Sequence, residues 1–315
     1  HALWRAAAAI PEPVSPDRAR LAMFRRLLGL KPPEPAWFQR PSLPSTPDAL
    51  TLTYLGTAGF VLSAPERTVV LDPFVSRHPL GHLLANKPLP SDPALVRRLI
   101  PRADDVLIGH AHFDHILDAP ELCRQTGARL IGSRATCMVG RAAGLSESQL
   151  VETAGREDIA SGVWTVRGLP SVHGKALFGK IPLPGDITAP PPWPPRMRDL
   201  RHGQVLNWMV DTGGLRVLHV DSADFIRDEL KGCQADLVCL CAIGRRYRPG
   251  YVREVVELTQ PKWIVPCHWD TMVTPIDQIP DMLPGVDLPG FLREIEDAGV
   301  QPLPVPLLGS LHLPR

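Results

Sequence analysis

Three histidines and an aspartate lie within six consecutive residues of this chain. The segment Gly109-His110-Ala111-His112-Phe113-Asp114-His115 directly follows a short apolar run, which predicts a buried strand that ends in a loop. In an extended segment, side chains two positions apart project to the same side, so His110 and His112 can bind one ion. Asp114 and His115 follow the turn and can reach a second ion. The sequence therefore predicts a metal site at the end of a strand.

Composition limits the class of protein. The chain has 315 residues, of which 44% are hydrophobic, and a formal net charge of +1. This length allows one large domain or two small ones with a sizeable core. Because a nearly neutral chain produces no strong field for a polyanion, we expect no nucleic-acid partner.

The cysteines indicate a reducing compartment. The six cysteines form no C-x-x-C pair and lie mostly in apolar runs, which is typical of reduced core thiols. The chain contains no run of 18 apolar residues, which would predict a transmembrane helix. We therefore expect a cytoplasmic protein, with a peripheral membrane location as the alternative. The sequence begins at His1, and we expect the native N-terminus and any targeting signal to lie outside it.

Residues 1–47 predict an N-terminal helical and proline-rich arm. Within it, residues 17–30 predict an amphipathic helix, with apolar side chains on one side and mostly arginines on the other. Two interpretations stay open: peripheral contact with a membrane surface or anionic lipid, and packing on the body of the protein or on a second subunit. The oligomeric state is also open.

The rest of the chain alternates short apolar runs with helical patterns. The first part predicts a three-stranded meander and then alternating elements, at 52–55, 60–62, 69–71, 93–100, 116–126, 129–132, 134–143, near 151 and at 163–166. The later part predicts strands at 205–210, 215–220, 237–241 and 263–265 and helices near 249–258 and 289–298. His173, Asp221 and His268 each follow a predicted strand.

Two long loops interrupt this pattern, at 74–92 and 179–203. Long loops inside compact domains usually have a function. In the second loop, Trp193 and the nearby Arg196, Arg198 and Arg201 are candidates for a wall of the substrate site. The alternative is a surface segment without a role in binding.

The order H-x-H-x-D-H, a lone His, an Asp after a strand and a final His resembles that of the metallo-β-lactamase-fold hydrolases. The matching positions, within about 70% of the chain from Leu50 to Thr271, are His110, His112, Asp114, His115, His173, Asp221 and His268. The resemblance implies an α/β (α+β) fold, a four-layer αββα sandwich with the site in a cleft at one edge of the sheets. It implies a single hydrolase domain over residues 48–315, with two similar halves at about 48–200 and 201–315.

Shorter motifs are similar to those of one branch of that superfamily. These motifs are Tyr54-Leu55-Gly56-Thr57-Ala58-Gly59, Leu71-Asp72-Pro73-Phe74, Pro170-Ser171-Val172-His173 and Pro266-Cys267-His268-Trp269. The branch contains L-ascorbate-6-phosphate lactonase and N-acyl-phosphatidylethanolamine phospholipase D.

The resemblance also implies two divalent metal ions. The first would be held by His110, His112 and His173, the second by Asp114, His115 and His268, and both by Asp221. Nitrogen and oxygen donors suit Zn²⁺ and also admit Mn²⁺ or Fe. Asp114 is, in addition, the candidate catalytic group that takes up the proton.

Three further residues adjoin these ligands in sequence or follow strands. Asp72 and His219 are candidates for orienting the ligating imidazoles. Cys267 precedes His268, but neighbouring residues in a strand point to opposite faces, so we expect Cys267 in the core.

The predicted function is that of a binuclear metal-dependent hydrolase, in which a metal-bridging hydroxide attacks a phosphodiester or lactone. The basic helix and the loop arginines favour a small anionic or lipid-like substrate. The chain has no long insertion of the nuclease kind, and His112 stands where the related flavin-linked di-iron reductases carry Glu. Two alternatives remain: an iron-dependent redox enzyme on the same fold, and a membrane-associated binding protein with a vestigial site.

Overall fold

The computed structural model of the chain describes residues 30–39, 43 and 48–315. Most of the arm, and almost all of the amphipathic helix predicted over residues 17–30, therefore lies outside the described residues. Membrane contact through that helix stays a prediction. A 3-10 turn, Pro35–Phe38, precedes the first strand.

The strands form two seven-stranded sheets. The first sheet contains β1 (Leu50–Gly56), β2 (Gly59–Ser63), β3 (Thr68–Leu71), β4 (Asp105–Leu107), β5 (Arg129–Gly132) and β6 (Leu150–Glu152). Strands β1 to β3 form the predicted antiparallel meander, and β3 to β6 are parallel.

The second sheet takes its first two strands from residues before 200. It contains β7 (Asp158–Ser161), β8 (Trp164–Ser171), β9 (Val205–Asp211), β10 (Arg216–Val220), β11 (Leu237–Cys241), β12 (Trp263–Cys267) and β13 (Gln301–Pro302). Strand β8 belongs here because it pairs along its length with β9, from Thr165 opposite Asp211 to Ser171 opposite Val205. The last strand, β14 (Ser310–Leu313), returns to the first sheet beside β1.

Helices cover the outer faces of the sheets. They are α1 (Leu80–Leu84), α2 (Pro93–Leu99), α3 (Phe113–Ile116), α4 (Ala119–Thr126), α5 (Arg134–Ala142), α6 (Arg227–Leu230), α7 (Tyr251–Thr259) and α8 (Leu288–Asp297). The structure is thus the expected αββα sandwich. In the described part of the chain, no helix has the length and apolar character needed to cross a membrane.

Two helical segments differ from the sequence expectation. The helix predicted over 116–126 begins only at Ala119, as α4, since Pro120 lacks a backbone N–H and occupies the first turn of a new helix, while Ile116 ends α3. The predicted loop 74–92 contains the short helix α1.

The main core lies between the two sheets. Large side chains from both sheets are fully buried there, among them Tyr54, Phe60, Trp164 and Trp208. A second apolar cluster joins the first sheet to its outer helices. All six cysteines are free and five of them are buried, Cys267 included, which confirms the prediction of core thiols.

Strand direction brings the polar strand ends to one edge of the sandwich. Strands β3 and β4 are parallel, as are β10, β11 and β12. Strand β8 runs antiparallel to β9, which runs antiparallel to β10, so β8 ends at the same edge as β10. The residues that follow these strands therefore converge.

Candidate metal centre

The centre is built first from the segment that follows β4. His110 and His112 lie in the extended part of this segment, and Asp114 and His115 lie in the single turn of α3. All four side chains are buried. Because the chain changes from strand to helix here, the side chains of Asp114 and His115 face the same space as those of His110 and His112.

The seven predicted ligands come together at this edge. Three groups have potential ligand atoms within 4.8 Å of one another: His110, His112 and His173; His110, His115 and Asp221; and Asp114, His115 and His268. The first and third groups correspond to the two predicted ion sites. The second group lies between them because it shares a histidine with each.

Potential metal-ligand atoms lie close to one another at the middle of this cluster. The Nδ1 atom of His110 lies 2.5 Å from Oδ2 of Asp221, and its Nε2 atom lies 2.9 Å from Nδ1 of His112. Oδ2 of Asp114 is 3.3 Å from Nε2 of His268. Within the described residues, the buried Oδ1 atom of Asp221 has no hydrogen-bond partner. An uncompensated buried carboxylate oxygen among imidazole nitrogens fits a cation.

Burial and neighbouring charges set the protonation of these groups. Burial lowers the pKa of both His112 and His173 to about 4, so each is neutral at pH 7 and has a lone pair for a metal. Burial acts to raise the pKa of Asp114, but the charges of His115 and His268 outweigh it and hold this pKa well below its usual value. Asp114 is therefore an ionised acceptor at neutral pH.

Asp72 contacts two residues of the centre through its carboxylate oxygens. Its Oδ2 atom lies 2.8 Å from Nδ1 of His115, and its Oδ1 atom accepts a hydrogen bond of 2.7 Å from the backbone N–H of Gly109. Together with Asp114, Asp72 raises the pKa of His115 to about 9 against the effect of burial. Asp72 thus orients the imidazole of a candidate metal ligand, as its position after β3 predicts.

His219 does not have the role expected for it. Its Nε2 atom lies 2.8 Å from the carbonyl oxygen of Ala58, so the ring donates a hydrogen bond to the β1–β2 turn rather than to a ligating imidazole. The ring also packs edge-on against Phe60. His219 therefore joins the two sheets behind the centre.

A buried network that the sequence analysis missed holds the last ligand. Asp270 accepts hydrogen bonds from Tyr54 Oη at 2.5 Å and from Thr57 N at 2.8 Å, and it pairs with Arg77 at 2.6 Å. The backbone N–H of His268 in turn donates to the carbonyl oxygen of Thr57. This support matters because His268 has a φ of 56°, which is unfavourable for a side-chain-bearing residue.

Only glycine fits at position 109. A Cβ atom there would lie 2.1 Å from Oδ2 of Asp221. We expect Gly109→Ala to displace this carboxylate and to lower metal affinity by about 10–100-fold, as loss of a supporting group does. Elemental analysis after dialysis against a weak chelator measures the change.

The matched control is Gly81→Ala in α1, where nothing lies within 4 Å of an added Cβ. This control should keep wild-type metal content. Full metal retention by Gly109→Ala would show that metal binding does not depend on the observed position of Asp221.

Comparison with known proteins agrees with this architecture. Residues 67–269 match the family model for the beta-lactamase superfamily domain. A UPF0173 metal-dependent hydrolase of Methanopyrus kandleri is 27% identical over 255 residues, which cover 80% of this chain and 94% of that protein.

Two solved structures share the fold. Igni18, a metallo hydrolase from Ignicoccus hospitalis, gives a TM-score of 0.54 at 16% identity, covering 85% of this chain and 99% of that chain. CmlA, a diiron β-hydroxylase from Streptomyces venezuelae, gives 0.56 at 18% identity, covering 85% of this chain and 55% of that chain. The sequence match over most of the sandwich establishes the family: the chain belongs to the beta-lactamase superfamily domain family.

Proposed function

We propose that this metal-dependent hydrolase uses a binuclear centre to cleave a phosphodiester or a lactone. The observation that carries the proposal is the overlap of three ligand groups, with the carboxylate of Asp221 in the middle group. A single structural metal ion needs only four closed ligands, whereas this edge of the sandwich gathers seven buried or nearly buried donors.

The side chains of the centre have separate tasks. His110, His112 and His173 would hold one ion and Asp114, His115 and His268 the other, with Asp221 shared. When bound, such ions lower the pKa of a water toward about 7 and polarise the oxygen of the scissile group. The ionised Asp114 accepts the proton that the attacking water loses, and Asp72 keeps His115 in a fixed orientation.

The loop between His173 and Leu183 supports an anionic substrate with an apolar part. The loop that begins at His173 carries the exposed cations Lys175 and Lys180, and Phe178 between them is 91% exposed. The loop returns at Leu183, whose carbonyl oxygen lies 3.4 Å from Nε2 of His112. An anionic or lipid-like ester could therefore contact cations and an aromatic ring beside the ions.

Hydrolysis of two ester classes tests the proposal. We expect zinc- or manganese-loaded protein to cleave either bis-(p-nitrophenyl) phosphate or members of a lactone panel. Because Asp114 is both ligand and proton acceptor, Asp114→Ala should reduce the rate by more than about 100-fold. The ester class that is cleaved selects between phosphodiesterase and lactonase.

The control for this assay is His312→Gln, which changes an exposed histidine on β14 and should retain wild-type activity. Iron-loaded protein with oxygen-dependent turnover and no hydrolysis would favour the redox alternative. Absence of activity with every metal would favour the vestigial site.

A further inference from the structure

A sixth histidine lies beside the centre and belongs to none of its three ligand groups. His202 ends the proline-rich loop, three residues before β9. Its ring centroid is 5.9 Å from that of His112 and 5.7 Å from that of His173. The ring therefore borders the first ion site, formed by His110, His112 and His173.

The backbone fixes this position from two sides. The carbonyl oxygen of His202 accepts a hydrogen bond of 3.0 Å from the N–H of Ala111, inside the ligand segment. The N–H of His202 donates to the carbonyl oxygen of Leu183, the residue that touches His112. Next to it, Gly203 has a φ of 64°, and a Cβ there would lie 2.4 Å from that of Ala135. The close packing leaves little freedom for the His202 backbone.

A hydrogen bond also determines which ring nitrogen of His202 is available. Nδ1 lies 2.5 Å from the carbonyl oxygen of Gly203. A carbonyl oxygen can only accept, so Nδ1 carries the proton, and in the neutral ring Nε2 is an acceptor. Among the described residues none donates to this Nε2 atom, and the side chain is only half-buried. A ring that borders the first ion site thus keeps one acceptor without a partner among the described residues.

We propose that His202 binds the substrate by accepting, at Nε2, a hydrogen bond from a hydroxyl or amide N–H on a carbon close to the scissile carbonyl or phosphoryl group. This inference rests on the proposed hydrolase function and adds a substrate feature to it. The preferred substrate then carries a donor beside the reacting bond. Esters without that donor leave the Nε2 acceptor without its partner in the complex.

The test compares two lactones that differ only in the donor: α-hydroxy-γ-butyrolactone and γ-butyrolactone. The ratio of their kcat/KM values is measured at pH 8 for wild-type protein, His202→Phe, His202→Gln and the control His312→Phe. Comparing ratios between proteins cancels the intrinsic difference in reactivity of the two lactones. Elemental analysis of each variant verifies that metal content is unchanged.

We expect His202→Phe to lower the preference for the hydroxylated lactone by about 3–10-fold, the effect of one hydrogen bond. His202→Gln, which keeps an acceptor oxygen, should restore part of it, and His312→Phe should match wild type. An unchanged ratio in His202→Phe overturns the inference. Loss of metal from His202→Phe also overturns the inference, because it would identify His202 as a metal ligand.

A binding measurement separates this inference from the proposed function. Ligand-observed NMR titration of the same lactone pair against zinc-loaded protein reports affinity without turnover. If wild-type protein hydrolyses neither lactone, the lactonase proposal fails, but tighter binding of the hydroxylated lactone that is lost in His202→Phe still supports the contact. If the two lactones bind with equal affinity, both to wild-type protein and to His202→Phe, the proposed contact is contradicted.

Discussion

Substitution of Asp221 by Ala should abolish hydrolysis and remove at least one metal ion per chain. Asp221 is the carboxylate of the central ligand group and contacts Nδ1 of His110 at 2.5 Å. Loss of a group that only supports a ligand costs about 10–100-fold in affinity or activity, so loss of this carboxylate should cost more than about 100-fold. Metal analysis and kcat/KM on the best substrate measure both effects.

Asp211→Ala is the control for this experiment. Asp211 ends β9 at the opposite edge of the same sheet and accepts a hydrogen bond from the N–H of Gly213. It should keep wild-type activity and metal content. An Asp221→Ala protein with two ions per chain and near wild-type turnover would refute the assignment of Asp221.

Substitution of Asp270 by Ala should lower the free energy of unfolding by about 3–5 kcal/mol, the usual cost of removing one partner of a buried ion pair. The side chains of Asp270 and Arg77 are both fully buried. Without Asp270 the Arg77 guanidinium loses its counter-charge, and Tyr54 Oη and Thr57 N lose an acceptor. Urea denaturation followed by circular dichroism measures the change.

Asp158→Ala provides the comparison for Asp270. Asp158 also pairs with an arginine, Arg167 at 2.7 Å, but both side chains are largely exposed, and such pairs contribute about 0–1 kcal/mol. Equal unfolding free energies for Asp270→Ala and wild type would mean that the network around His268 is not needed for stability. We also expect Asp270→Ala to bind metal more weakly, since Thr57 contacts the backbone of His268.

The convergence of the candidate ligands could be predicted from sequence because they follow apolar strand runs. Asp221 and His268 come directly after apolar runs that predict buried strands, and His110 follows such a run after Gly109. Parallel strands bring such ends together. The supporting role of Asp72 followed from the same position after β3. His219 was misassigned because it lies within β10, where the direction of the ring depends on the partner sheet.

Other features depend on tertiary contacts that carry no local pattern. Arg77 lies in a loop and its pairing with Asp270 spans 193 positions, so nothing near either residue indicates it. Strand β7 has an irregular burial pattern, so the sequence predicts no strand at its position. His202 follows a proline-rich loop, and only the contacts of its backbone with Ala111 and Leu183 reveal its place beside the centre.

The number of metal ions needed for activity tests the central claim most directly. Chelator-treated protein is titrated with Zn²⁺ or Mn²⁺ while hydrolysis is followed, and bound metal is counted by elemental analysis at each point. A binuclear hydrolase predicts that activity reaches its plateau at about two equivalents per chain. A plateau at one equivalent would contradict the binuclear centre, and metal uptake without any hydrolysis would contradict the hydrolase itself.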